Sequence, residues 1–307
     1  MSRIYAIALN TFREAVRDRV LYALLGAGIS VVLFALALGE LSLHQESRVV
    51  EDLGLATVSL FSAWTSIFLG SSLLYKEIER KTLYVILPKP ISRAEFLLGK
   101  YLGIALTIFV FVSVMGGALL GVLAVEKGLS FGFFMAFVVG VLSLFALGAW
   151  KFSSRTELLL PFSLGCLLGG IAIAMHSGVP SVLSLGAIAL AFGEALFVGA
   201  VAMVFSSFST PFLTGVFTFG IWVLGRSADE MEGLRSRELP ELLVGLVRGL
   251  SRVVPNFHLF VPGRHAFEVL GPDGSILYVA RTLGYGALYA TLMLAASVAL
   301  FRRRDLA

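Results

Sequence analysis

Apolar residues run along this chain in long blocks with polar breaks between them. The blocks lie near 20–39, 54–75, 101–124, 133–150, 158–176, 182–205, 211–225 and 278–301. Most approach the roughly 20 residues that an α-helix needs to cross a bilayer core. The pattern predicts about eight spans in one domain, 1–307. The short alternating strands of a membrane barrel are not visible, so the expected fold class is an all-α polytopic membrane bundle. Residues 1–19 differ. Ile4, Ile7, Ala8, Thr11, Ala15 and Val16 fall on one helical side, and Asn10, Arg13, Glu14, Arg17 and Asp18 on the other. That pattern predicts an amphipathic helix lying in the membrane interface. Ala35-Leu36-Ala37 mimics a signal-cleavage site, but the run 20–39 is longer than the roughly 7–15 residues of a signal core and reads as a span.

Two blocks admit alternatives. Residues 133–150 and 158–176 read as two spans or as a re-entrant pair; Lys151 and Arg155 between them favour two spans with a cytosolic turn. Pro161, the Gly165–Gly170 cluster, Gly117 and Gly121 predict closely packed helices, since small residues let backbones approach.

Composition excludes a soluble domain. The chain is 58% hydrophobic and 14% charged, with mean hydropathy +0.91, whereas soluble domains carry roughly 25% charged residues. The net charge is only +4, so placement matters more than size. With the N-terminus inside, segments 1–19, 76–100, 151–157, 206–210 and 302–307 hold 15 of the 24 Lys and Arg residues. Both termini are therefore expected in the cytosol, and nothing in the charge argues for nucleic acid. The outside loop 40–53 is acidic. The segment 226–277 balances six arginines with seven acids and is expected to be an extracytoplasmic loop. Its amphipathic stretch Leu239–Val253 reads as a lid or interfacial helix. Cys166 is the single cysteine, which rules out an internal disulfide and a Cys/His metal cluster.

The chain contains no G-x-x-x-x-G-K-[ST], H-E-x-x-H, G-x-S-x-G or C-x-x-C motif. No catalytic, cofactor or metal site is expected in it, and it does not split ATP by the phosphate-loop route. Glu194 is the one ionisable residue well inside a predicted span. An intramembrane carboxylate is costly unless protonated, paired or facing water. It reads either as the coupling acid of an ATP-independent transporter or channel, or as a neutral, hydrogen-bonded acid against a neighbouring helix. No basic partner in another span is evident for it.

The most marked polar break is Tyr75–Tyr101. Lys76–Leu87 is expected to be helical, with Ile78, Leu83 and Ile86 or Leu87 as apolar anchors. Pro88-Lys89-Pro90 ends it. Ser92 is placed to cap a second helix starting at Arg93, with Glu95 near its positive end. The result is a charged elbow of the kind a partner protein grips. Its candidate docking or shaping residues are Glu77, Glu79, Arg80, Lys81, Thr82, Pro88, Pro90 and Arg93.

The run E-x-E-R-K-T-L-x-x-x-L-x-K-P-I-S-R-x-E-F-L-L-G-K-Y-L-G, Glu77 to Gly103, resembles the region between the second and third spans of ABC-2 type permeases. These are the membrane subunits of bacterial ABC exporters, and the NosY-like branch is the nearest. The amphipathic N-terminus resembles that family's connecting helix. Ser206-Ser207-Phe208-Ser209 with Pro211 resembles a short cytosolic turn, and Leu300-Phe301-Arg302-Arg303-Arg304-Asp305-Leu306 the cytosolic C-terminus. The family core has six spans, so 133–176 would be an extra pair. The resemblance implies a type V exporter-like bundle in the bacterial cytoplasmic membrane, in contact with membrane lipid. It implies two permease copies, identical or paralogous, working with two ATPase subunits that bind ATP and Mg. The elbow would be the coupling helix that docks on the ATPase. A non-transporting membrane scaffold is the third reading.

Overall fold

A computed structural model describes residues 3–42, 46–79, 92–151, 158–179, 181–232, 254–262 and 264–303, with single residues 156, 245 and 249. Every regular element among them is helical. They are α1 (Arg3–Val16), α2 (Arg19–Leu41), α3 (Glu46–Glu79), α4 (Arg93–Glu126), α5 (Phe131–Lys151), α6 (Leu159–His176), α7 (Ser181–Ser206), α8 (Pro211–Arg226) and α9 (Ala228–Glu232). A 3-10 turn (His258–Phe260) and α10 (Arg264–Arg303) follow. Seven of these helices are long and apolar enough to cross a membrane. The protein is an all-α, multi-pass membrane protein.

The expected count of eight spans needs one correction. The block 211–225 forms α8, which has only 16 residues. At 1.5 Å per residue it is about 24 Å long, short of the roughly 30 Å hydrocarbon core. Blocks 133–150 and 158–176 are two separate helices, α5 and α6, each of spanning length. The last block belongs to α10, which is broken at Gly271 (φ 66°, ψ 177°). That left-handed φ suits glycine, which lacks the Cβ that clashes there.

The packing centre is α4 with the parallel pair α3 and α7. Contacts along that pair keep a near-constant offset: Glu51 meets Ser184 near one end and Gly70 lies against Ala202 near the other. The acidic segment 40–53 was expected as a short loop on the outer side of the membrane. Instead Glu46–Asp52 forms the start of α3, and Glu51 is buried with Ser184 3.5 Å away.

α6 is drawn onto α4 by small residues. A Cβ on Gly117 would stand 2.5 Å from the carbonyl oxygen of Cys166, and one on Gly170 would stand 2.7 Å from that of Gly117. Backbone cannot yield as a side-chain tip can. Gly117→Val is therefore expected to push α6 off α4, costing about 1–3 kcal/mol and lowering Tm in detergent. Gly165→Ala, where a Cβ meets open space, leaves Tm unchanged. α5 is the most peripheral helix, with Phe133, Val139, Leu144 and Trp150 exposed. In a bilayer such a surface faces lipid.

The amphipathic N-terminus does form a helix, but α1 is not merely laid on an interface. Ala8, Thr11, Phe12, Ala15 and Val16 are buried, against α4 above all. Gly103 of α4 makes this approach possible, since a Cβ there would lie 2.5 Å from that of Thr11.

Candidate functional site

The elbow is described at its two arms. Glu77 and Glu79 lie in the last turns of α3. Arg80, Lys81, Thr82, Pro88 and Pro90 lie outside the described residues, as does the rest of 80–91. The second arm starts as the sequence predicts. Ser92 caps α4: its hydroxyl accepts from the Glu95 N–H at 3.1 Å, and its own N–H donates to Glu95 Oε2 at 2.8 Å. This reciprocal capping box satisfies two donors that a bare helix end would leave unpaired.

Arg93 is engaged inside the chain. Its Nη1 donates to the carbonyls of Phe301 (2.8 Å) and Arg302 (2.9 Å) at the end of α10. A cation there meets both the last unpaired carbonyls and the negative end of the helix dipole. The guanidinium also lies 5.9 Å from the Phe301 ring centroid, and that ring stacks on Phe96 of α4. One turn further along, Lys100 is buried and stands 3.8 Å from Glu14 of α1. The N-terminal helix, the α4 arm of the elbow and the end of α10 thus meet at one end of the bundle. The turn 207–210 joins α7 to α8, with Ser207 2.8 Å from Ser297 of α10.

Glu194 sits in α7 with no exposed surface. The sequence pointed to no basic partner in another span. The structure supplies one, Arg226, the last residue of α8. Arg226 Nε donates to Glu194 Oε1 at 3.0 Å and Nη2 to Oε2 at 2.9 Å, a bidentate pair. Trp222 Nε1 donates to Oε1 at 2.8 Å, and the Ser59 hydroxyl to Oε2 at 2.5 Å. Arg226 Nη2 also donates to Ser59 Oγ. Glu194 therefore accepts four hydrogen bonds from α3 and α8. That is the full acceptor capacity of a carboxylate, with charge-assisted bonds of the strong kind. The guanidinium carbon lies 5.1 Å from the Trp222 ring centroid.

Two local facts aim these groups. Thr214, Thr218 and Trp222 recur at four-residue spacing on the buried face of α8, and Arg226 is the next member of that series. Arg226 also caps the negative end of α8, where a cation is favoured. It had been assigned to the loop 226–277 because it follows the apolar block. The signal that finds it is the spacing Trp222-x-x-x-Arg226, which carries the face of a span into its first polar residue.

The segment 226–277, expected as an extracytoplasmic loop, is in part packed against the bundle. Its stretch Leu239–Val253 falls outside the described residues apart from 245 and 249. Residues 254–262, however, fold back into the bundle. The Phe257 N–H donates to the Gly225 carbonyl at 2.9 Å. Phe257 and Phe260 are fully and almost fully buried among Phe197, Tyr285 and neighbouring aromatic rings. Asn256 fastens the segment: its side-chain amide donates to Asp229 at 2.6 Å, and its N–H to the Tyr285 hydroxyl at 3.1 Å. α8 thus ends at Arg226, one residue before the short α9, and the returning chain packs against that end.

No protein-family model matches the chain, and no curated protein matches it. What the geometry itself defines is a helical multi-pass membrane protein with a buried ionic node where a part-length helix ends.

Proposed function

We propose that this chain is the permease subunit of an ATP-binding cassette exporter of ABC-2 type in the bacterial cytoplasmic membrane. Two copies of a separate ATPase would bind ATP and Mg and drive it, with a second permease copy or a paralogue completing the complex. The cytosol would hold both termini and the elbow. The observation that carries the proposal is the run Glu77–Gly103, whose order of charges, prolines and cap resembles that family's coupling region. The Ser92 capping box and the joining of α1, α4 and α10 beside the elbow support it. A force applied at the α4 arm reaches three helices at once. Such force does work only if ATP-bound and ATP-free partners hold the elbow differently.

The test is co-purification of the native complex from membranes. An ATPase with a phosphate-loop motif is expected to accompany the protein. Replacing Glu77, Glu79, Arg80 and Lys81 together by alanine is expected to cut its recovery at least tenfold without loss of the folded permease. Arg93 is left in place because it clamps α10. Recovery of no ATPase from native membranes overturns the proposal. An ATP-independent transporter coupled through Glu194 finds no support in the geometry, because that carboxylate's acceptor sites are all occupied. Proton-driven flux by the protein reconstituted alone, lost in Glu194→Gln, would reverse that judgement. If neither ATPase nor flux is found, the scaffold reading stands.

A further inference from the structure

Arg226 keeps one edge uncommitted. Nε and Nη2 are spent on Glu194 and Ser59. Nη1, with its two N–H donors, meets no acceptor among the described residues. It is also not among the buried polar atoms that lack a partner, so it lies on the accessible part of the side chain. That side chain is 24% exposed, while its partner Glu194 is 0% exposed. α8 ends at this edge, and the short α9 follows after Ser227. A guanidinium edge with free donors is a ready partner for an oxyanion.

A second feature leads to the same place. On α8, Val216, Phe219 and Val223 are exposed and sit ten, seven and three residues before Arg226. That spacing lays them along one face, ending at the guanidinium. The outer surface of α8 thus presents an apolar strip with a two-donor cationic edge at its end.

We propose that this edge and strip bind an acidic amphiphile, its phosphate or carboxylate head on Arg226 Nη1 and its chain along Val223, Phe219 and Val216. The planar fork suits an oxyanion, and arginine is the side chain best matched to such heads. Glu194 does not cancel the attraction. Its oxygens lie behind Nε and Nη2, so a head at Nη1 is nearer the cation than the carboxylate. The inference concerns binding alone and holds whatever powers the protein.

The chain has three tryptophans, Trp64, Trp150 and Trp222. Trp64 and Trp150 are exposed, so Trp64→Phe with Trp150→Phe leaves Trp222 as the reporter beside Arg226. This protein, in neutral maltoside micelles, is titrated with dodecyl phosphate, inorganic phosphate and dodecyltrimethylammonium. A saturable change in Trp222 emission is expected with dodecyl phosphate alone. Arg226→Lys keeps a cation for Glu194 but loses the fork, and is expected to weaken the response at least tenfold. No saturable response to dodecyl phosphate overturns the proposal, as does an equal response to the cationic chain. Inorganic phosphate binding as tightly as the amphiphile overturns the role of the strip. Should Arg226→Lys fail to fold, the comparison of the three ligands decides the matter by itself.

Discussion

Arg226→Ala is expected to be the most damaging single substitution in the ionic node. It leaves the Glu194 carboxyl group with no exposed surface and two of its four hydrogen-bond donations gone. Removing one partner of a buried pair costs about 3–5 kcal/mol, because the other charge stays behind uncompensated. Arg226→Ala should fall at the top of that range. Glu194→Ala should fall at the bottom, since the 24% exposed arginine can turn toward water. The double substitution is expected to cost well under the sum, as residues sharing one network are not additive. Thermal unfolding in detergent, run as a double-mutant cycle, measures all three. Equal and additive losses would mean that the two side chains do not interact.

Phe257→Ala is the second large effect. Phe257 is fully buried, packs 4.6 Å from Phe197 by ring centroids, and fills the space that the missing side chain of Gly225 leaves. Truncating a buried phenylalanine costs about 3–5 kcal/mol. The loss here has a particular consequence, because the Phe257 N–H holds the Gly225 carbonyl one residue before Arg226. Cysteine placed at 227 is expected to become reactive to a polar maleimide in the Phe257→Ala protein and to be slower in its parent. Phe257→Leu, which keeps most of the volume, should recover most of the Tm.

Much of the bundle was legible because helix length and apolar content are local properties. The blocks near 20–39, 101–124, 158–176 and 182–205 became α2, α4, α6 and α7 with small shifts at their ends. The Ser92 cap was legible for the same reason, since the capping box needs only residues three apart. Gly117 and Gly170 were marked as sites of close approach. Which helices approach there, α4 and α6, required the fold.

What the sequence left unseen had a common cause. Arg93 was grouped with the docking or shaping charges of 75–101, and only the fold shows its guanidinium on carbonyls more than 200 positions away. Glu194 was left without a cation because Arg226 is the first polar residue after an apolar block and was assigned to the loop. Phe257 was read as part of an external segment because prolines and charges surround it in sequence.

The sequence by itself determined that the chain is helical, membrane-embedded and broken by one markedly charged segment at 75–101, because apolar blocks of bilayer length leave the backbone few other ways to satisfy its hydrogen bonds. Only the tertiary structure decided that α8 stops after 16 residues, that Arg226 turns to Glu194, and that residues 254–262 return to cover that end. Pairings between distant segments depend on which helical faces meet, and that depends on where small residues let backbones close, a property of the packed bundle rather than of any one stretch of chain.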